Sequence, residues 1–124
     1  MFGLHLMLEF YDCEEKKLED TKFIVSVLEE LPEIIGMRKI SEPYVIKVPP
    51  NPSTFDKGGI SAFIIIAESH IAIHTFTKQR YATIDVFSCK EFDTKKAEEY
   101  LVEKFKPRLV ERNVLSRGRN FKKS

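Results

Sequence analysis

GGISAFIIIAESHIAIHTFTKQRYATIDVFSC, residues Gly58 to Cys89, is the stretch whose reading decides the fold. It holds three runs of strand length separated by short polar breaks. The first, Ile60 to Ala67, is apolar on both faces, which predicts a central strand. A break at Glu68-Ser69 leads to a second, His70 to Thr77, whose alternate faces are Ile71, Ile73, Thr75 and His70, Ala72, His74, Phe76. After the polar Lys78-Gln79-Arg80 turn, Tyr81 to Cys89 sets Ala82, Ile84 and Val86 against Thr83, Asp85, Phe87 and Cys89. Three consecutive strands with tight links predict an antiparallel meander, and pairing within it is expected to bring Ser61, His74 and Cys89 together.

Outward from this core, the sequence alternates strand and helix signals. Residues 3–10, GLHLMLEF, set Leu4, Leu6, Leu8 and Phe10 against His5, Met7 and Glu9, the pattern of a half-buried strand. A polar turn follows. Ile24, Val27, Leu28 and Leu31 then recur at helical spacing, so a helix is expected from about Asp20 to near Leu31, with Asp20 or Thr21 as cap and Pro32 closing it or lying just past it. MRKISEPYVIKV, residues 37–48, reads as a further strand, and PPNPSTFDKGG, with three Pro and two Gly, as a loop. On the other side, Asp93 can cap a helix over 94–105 carrying the stripe Ala97, Tyr100, Leu101 and Phe105; Pro107 breaks it, and LVERNVL adds a last strand. This order predicts an α+β two-layer sandwich, an antiparallel sheet with helices on one face. The bare face then needs cover, and a second copy in a two-fold homodimer is the simplest.

Composition narrows the function. A chain of 124 residues with 43% hydrophobic and 31% charged residues suits one domain, 1–124. A formal charge of +1 speaks against nucleic acid as main partner, although residues 1–33 carry nine acids against three Lys and residues 104–124 eight basic groups against one Glu. The longest apolar run, Ala62 to Ala67, is six residues, far short of the roughly 20 that span a bilayer, and the N-terminus lacks signal-peptide features, so a cytoplasmic protein is expected. Two cysteines, three histidines and no CxxC point to neither a disulfide framework nor a metal site.

Taken singly, the reactive residues have plain readings: His74 as a satisfied half-buried histidine, Cys89 as a small core residue, Ser61 and Ser69 as strand-end and turn residues. Together they hold the parts of a nucleophile, a base and a proton donor. A serine hydrolase lacks a GxSxG elbow here and has only Asp85 as carboxylate for His74; a Cys-His protease lacks a signature.

SAFIIIAESHIAIHTF followed by YATIDVFSC resembles the self-processing, pyruvoyl-dependent S-adenosylmethionine decarboxylases of the short prokaryotic type. The resemblance runs from GLHLMLEFYDC to the last strand, with His74 five residues after Ser69 and Cys89 twenty after it. It implies cleavage between Glu68 and Ser69, giving a β chain 1–68 and an α chain 69–124. Ser69 Oγ would attack the Glu68 carbonyl, with Ser61 and His74 assisting, and His74 would help remove the Ser69 α-proton. Elimination and hydrolysis then leave a covalent pyruvoyl group derived from Ser69, with no metal and no pyridoxal phosphate. That group forms a Schiff base with the substrate amine and serves as electron sink during decarboxylation, supplying spermidine and polyamine synthesis.

Cys89 is implied as the acid that reprotonates the substrate carbon. Phe55 falls where the family stacks a ring on adenine, and Phe76 is a further substrate-binding position. Lys78 departs from the pattern: four residues after the histidine the family has a ribose-binding Glu, and a lysine donates to hydroxyls but cannot accept from them. Decarboxylation of another amino acid such as arginine, or an unprocessed binding domain, are the alternatives, although the Lys78-Gln79-Arg80 turn would repel a guanidinium.

Overall fold

The computed structural model describes residues 1–67 and 69–123. Six strands form one antiparallel sheet: β1 (Gly3–Tyr11), β2 (Tyr44–Val48), β3 (Gly59–Ile66), β4 (Ser69–Phe76), β5 (Tyr81–Ser88) and β6 (Leu109–Arg117), in the order β2-β3-β4-β5-β1-β6. The expected meander is β3-β4-β5. The N-terminal strand pairs beyond it with β5 and β6, so first and last strands lie side by side.

Helices α1 (Glu15–Leu18), α2 (Thr21–Ile34) and α3 (Thr94–Phe105) belong to the other layer. The caps follow the sequence: Asp20 accepts from the backbone N–H of Lys22 and Phe23, and Asp93 from that of Lys96. Two boundaries differ from expectation. Pro32 lies inside α2, in its last turn, where the carbonyls are already leaving the helical ladder and its missing N–H costs one bond; Met37 N–H then closes on the Pro32 carbonyl at 2.8 Å. The expected strand over 37–48 shrinks to β2, with only a Lys39–Ile66 bridge before it. A short α1 stands where a plain turn was expected.

The core lies between the sheet and helices. Leu6, Leu8 and Phe10 of β1, Ile60, Ile64 and Ile66 of β3, Ile71 and Ile73 of β4 and Ile84 and Val86 of β5 are buried against Ile24, Leu28, Leu31, Leu101 and Phe105. Phe105 meets Phe10 edge-on at 5.8 Å and Phe23 at 5.1 Å. Among the described residues the opposite face carries no helix. Tyr44, Ile46, Phe63, Ile65 and Leu115 are exposed there. The two-sided hydrophobicity of β3 thus marks a strand with one face in the core and the other open.

Candidate functional site

Strand register sorts the reactive side chains into two groups. Ser61 on β3 pairs with His74 on β4, and their side chains join, Ser61 Oγ to His74 Nδ1, at 2.9 Å. Both stand on the open face, with His74 exposed. The close approach of the strands here depends on Gly59, where a Cβ would lie 1.8 Å from the Thr75 carbonyl oxygen. Beyond the dyad, Phe55 lies in the proline-rich loop with its ring 6.1 Å from Phe76, which is in turn 5.7 Å from Tyr81; Gln79 Nε2 donates to the Phe55 carbonyl. Phe55 is 71% exposed, so its ring presents a face to solvent. The expected adenine-stacking position and the dyad therefore share one end of the sheet.

The second group sits at the other end. Ser69 opens β4, paired with Ile66 on one side and Ser88 on the other. Cys89 directly follows Ser88, and by alternation shares the open face with Phe87. Gly3 of β1 is pressed against this segment: a Cβ there would meet the Ser88 oxygen at 2.0 Å and Cys89 Cα at 2.7 Å. From the far side Lys123 Nζ donates to the Cys89 carbonyl. Cys13, the other cysteine, is wholly buried, and burial pushes its thiol up to about 11, which disfavours the reactive thiolate there.

The expectation that pairing unites Ser61, His74 and Cys89 is half right. Ser61 and His74 meet, but Cys89 does not join them. Register carries it past Ser88, which pairs with Ser69, whereas His74 pairs with Thr83. Ser69 and His74 are five residues apart on one extended strand, about 17 Å at roughly 3.3 Å per residue. Glu68, the residue ahead of the expected break, lies outside the described residues. Lys78 lies in the β4–β5 turn, exposed, with Nζ 3.9 Å from Glu15 Oε2.

Around Ser69 the structure adds residues to which the sequence reading gave no role. His70 Nδ1 lies 3.4 Å from Ser69 Oγ. His70 pairs with Phe87, which pairs with His5, and the two imidazoles lie 5.7 and 5.8 Å from the Phe87 ring. His5 Nε2 meets Asp85 Oδ1 at 2.9 Å. Phe87 is buried although it faces the open side, because Phe2 and the Arg117 guanidinium, 4.1 Å above the ring, cover it. Burial, with His5 and Arg117 adding positive charge, holds the His70 imidazole below the usual histidine range, while Asp85 opposes them. Alternation set Asp85 and Phe87 on one face of β5 and His70 on one face of β4; the register His70↔Phe87 makes the two faces one. The missing signal was the β1–β5 pairing, which brings His5 across from a distant part of the chain.

Between the two groups runs an open apolar groove of about 460 Å³, lined by Tyr44, Ile46, Phe63, Ile65, Ala72 and both histidines of β4. Among the described residues no group of three or more His, Cys, Asp or Glu could hold a metal ion, and no helix is long and apolar enough to cross a membrane.

Known proteins match this geometry and sequence along most of the chain. The family model described as S-adenosylmethionine decarboxylase matches residues 4–118. The S-adenosylmethionine decarboxylase proenzyme of Pyrobaculum neutrophilum is 34% identical over 110 residues, 88% of this chain and 83% of that one. The proenzyme of the same description from Clostridium botulinum strain Langeland is 31% identical over 118 residues, 94% of this chain and 95% of its own length. The crystal structure of the adenosylmethionine decarboxylase from Aquifex aeolicus superposes with a TM-score of 0.79 at 27% identity, covering 94% of this chain and 91% of that one. With a β-sheet that bears Ser69 and Cys89 at one end and the Ser61–His74 dyad at the other, the chain belongs to the S-adenosylmethionine decarboxylase family.

Proposed function

We propose that the chain is a proenzyme that cleaves itself between Glu68 and Ser69 and then decarboxylates S-adenosylmethionine. The names of the relatives favour this substrate over the basic amino acids that Lys78 left open, and favour catalysis over plain binding. The observation that carries the reading is the position of Ser69. As first residue of β4 it is held by pairing on both sides, so a break ahead of it leaves the new end anchored in the sheet beside Cys89. That setting suits a pyruvoyl group grown from the chain's own serine, which when formed supplies a carbonyl that captures the substrate amine and draws electrons as carbon dioxide leaves. The chain's residues do the rest. Cys89, just past the end of the neighbouring strand β5, delivers the proton to the substrate carbon as general acid. Phe55 and Phe76 offer rings for the adenine.

His74 and Ser61 stand too far from Ser69 of their own chain to act on it. A homodimer resolves this. Two sheets stacked through their open faces, roughly 10 Å apart and related by a two-fold axis running across the strands near Ala72, turn the partner's β4 end for end and lay its dyad over the Ser69 end of this chain's β4. Each site then combines Ser69, His70 and Cys89 of one protomer with the dyad and loop of the other, and the exposed Ile46, Phe63 and Ile65 become interface.

Intact-mass measurement on purified protein, paired with carbon dioxide release from labelled S-adenosylmethionine, tests the reading. Two chains broken before Ser69, the second without a free amino end, and release from S-adenosylmethionine but not arginine are expected. A chain that stays whole, or one that acts on arginine alone, would refute it.

A further inference from the structure

If the dyad reaches Ser69 only from a second chain, the first step of self-cleavage needs a base nearer the hydroxyl. We propose that His70 is that base: its Nδ1 takes the Ser69 Oγ proton as the Glu68–Ser69 peptide bond rearranges. The inference rests on the reading of Ser69 as the self-cleaving residue and adds a catalytic residue to it.

Geometry selects His70 from its neighbours. Its Nδ1 is 3.4 Å from Ser69 Oγ, a long contact of the kind that tightens only as the reaction proceeds. The nearby alternatives are engaged. His5 Nε2 and Asp85 hold each other at 2.9 Å, and Ser88 Oγ donates to the Met37 sulfur while accepting from the Lys90 N–H.

His70 is also in the right state for the task. A base must be neutral, and half-burial against Phe87 disfavours its charged form. The groups that face it are His5 on β1, Asp85 on β5 and Arg117 on β6, while β3 presents the apolar Ile65 opposite it. Two of the three charges that bear on it oppose protonation. With its proton on Nε2, the ring leaves Nδ1 as acceptor.

The step balances within the chain. The Oγ–H proton passes to His70 Nδ1, Oγ bonds to the Glu68 carbonyl carbon, and the carbon–nitrogen bond breaks. The proton then goes to the departing Ser69 nitrogen, leaving an ester and a free amine and returning His70 to its starting state. No oxidant or external reactant enters. The later loss of the Ser69 α-proton, by contrast, falls to His74 of the partner subunit. The two histidines of β4 thus serve successive steps, one in its own chain and one across the dimer.

Hydroxylamine, which cleaves esters and spares amides, separates these steps. Freshly made proenzyme is incubated at a series of pH values with and without it, and the fragments are weighed. In the native chain the rate of ester formation should fall in acid, with a midpoint below the ordinary histidine value of about 6.5. His70→Gln and His70→Asn should lower that rate roughly a hundredfold or more, whereas His74→Gln should still form the hydroxylamine-sensitive ester and stall there. His70→Asn keeps a polar atom near Nδ1 but cannot take up a proton. If it cleaves at the native rate, His70 only positions Ser69 and the inference fails while the cleavage reading stands. A native profile flat from about pH 8 down to about pH 4 overturns it without recourse to any variant. A native chain that never breaks, with Ser69→Ala indistinguishable from it, removes the cleavage reading and the inference together.

Discussion

The two ends of β4 differ more from each other than either differs from its neighbours on adjacent strands. At the Ser69 end the open face is roofed by the chain itself: Phe2, Arg117 and the edge-on pair of Phe2 and Phe121 bury Phe87, and between these rings sit two imidazoles and a carboxylate. At the His74 end the Ser61–His74 dyad and the Phe55 ring stand bare. A reacting bond needs low-dielectric surroundings and a neutral base, which one chain can supply alone at the roofed end. The bare end is what the proposed homodimer would cover. On the proposed homodimer the difference has a simple meaning: one strand serves two sites, each of its ends completing a different one.

The sharpest way to break that comparison is to separate the ends genetically. Ser69→Ala should abolish cleavage outright, and His74→Gln should leave its chain uncleaved beyond the ester. Co-expressed, the two variants should, on the proposed arrangement, form mixed dimers in which an intact Ser69 faces an intact His74. The expected outcome is that the His74→Gln chain alone becomes two fragments by mass, from none to a readily measured fraction. No fragments in the mixture would show that His74 serves its own chain, and the end-for-end arrangement would fall.

Next in size is the proton donor at the roofed end. Cys89→Ala removes an acid and nothing that cleavage uses, so turnover should drop by about a hundredfold or more while both fragments appear at the native rate. Equal loss in both measurements would mean that the substitution disturbs the Gly3 contact and the sheet rather than the chemistry.

Much of the molecule was legible because alternation has a period of two and a helix one of 3.6. The meander, α3 with its Asp93 cap, and the pairing of Ser61 with His74, whose positions fall symmetrically about the β3–β4 turn, all follow from local sequence. The separation of His74 from Ser69 was equally available, since five residues of strand cannot fold back on themselves. The family pattern, read as one site, obscured it. His5 and Asp85 could not be paired in advance, because β1 docks between β5 and β6, a long-range pairing with no local signature. Pro32 shows the converse: a strong local breaker tolerated because it falls in the last turn of a helix whose Leu28 and Leu31 are fully buried.

The open face offers a more graded test. Phe63 lies near the middle of it, beside Ala72 and against Tyr44 at 5.4 Å, and is 41% exposed in one chain. Phe63→Lys places a charge where two apolar sheets are expected to meet, at little cost to the isolated fold. If the native chain is the proposed dimer, light scattering should show it shifting toward monomer, and ester completion should slow in step while the His70-dependent first stage persists. A variant that remains dimeric would move the interface off this face.

The smallest effect is expected at Lys78. Its ion pair with Glu15 spans 3.9 Å between two exposed groups, so screening and side-chain entropy leave it worth less than about 1 kcal/mol. Lys78→Ala should therefore barely move the melting temperature, and because the turn lies past the His74 end, far from Ser69, cleavage should not change. Any consequence falls on substrate. If the bare end receives the nucleoside part of S-adenosylmethionine, Lys78→Glu supplies an acceptor for sugar hydroxyls that the native lysine lacks, and KM should fall a few-fold with kcat unchanged. A change in kcat with constant KM would instead tie Lys78 to the reacting bond, joining the two ends that the fold holds apart.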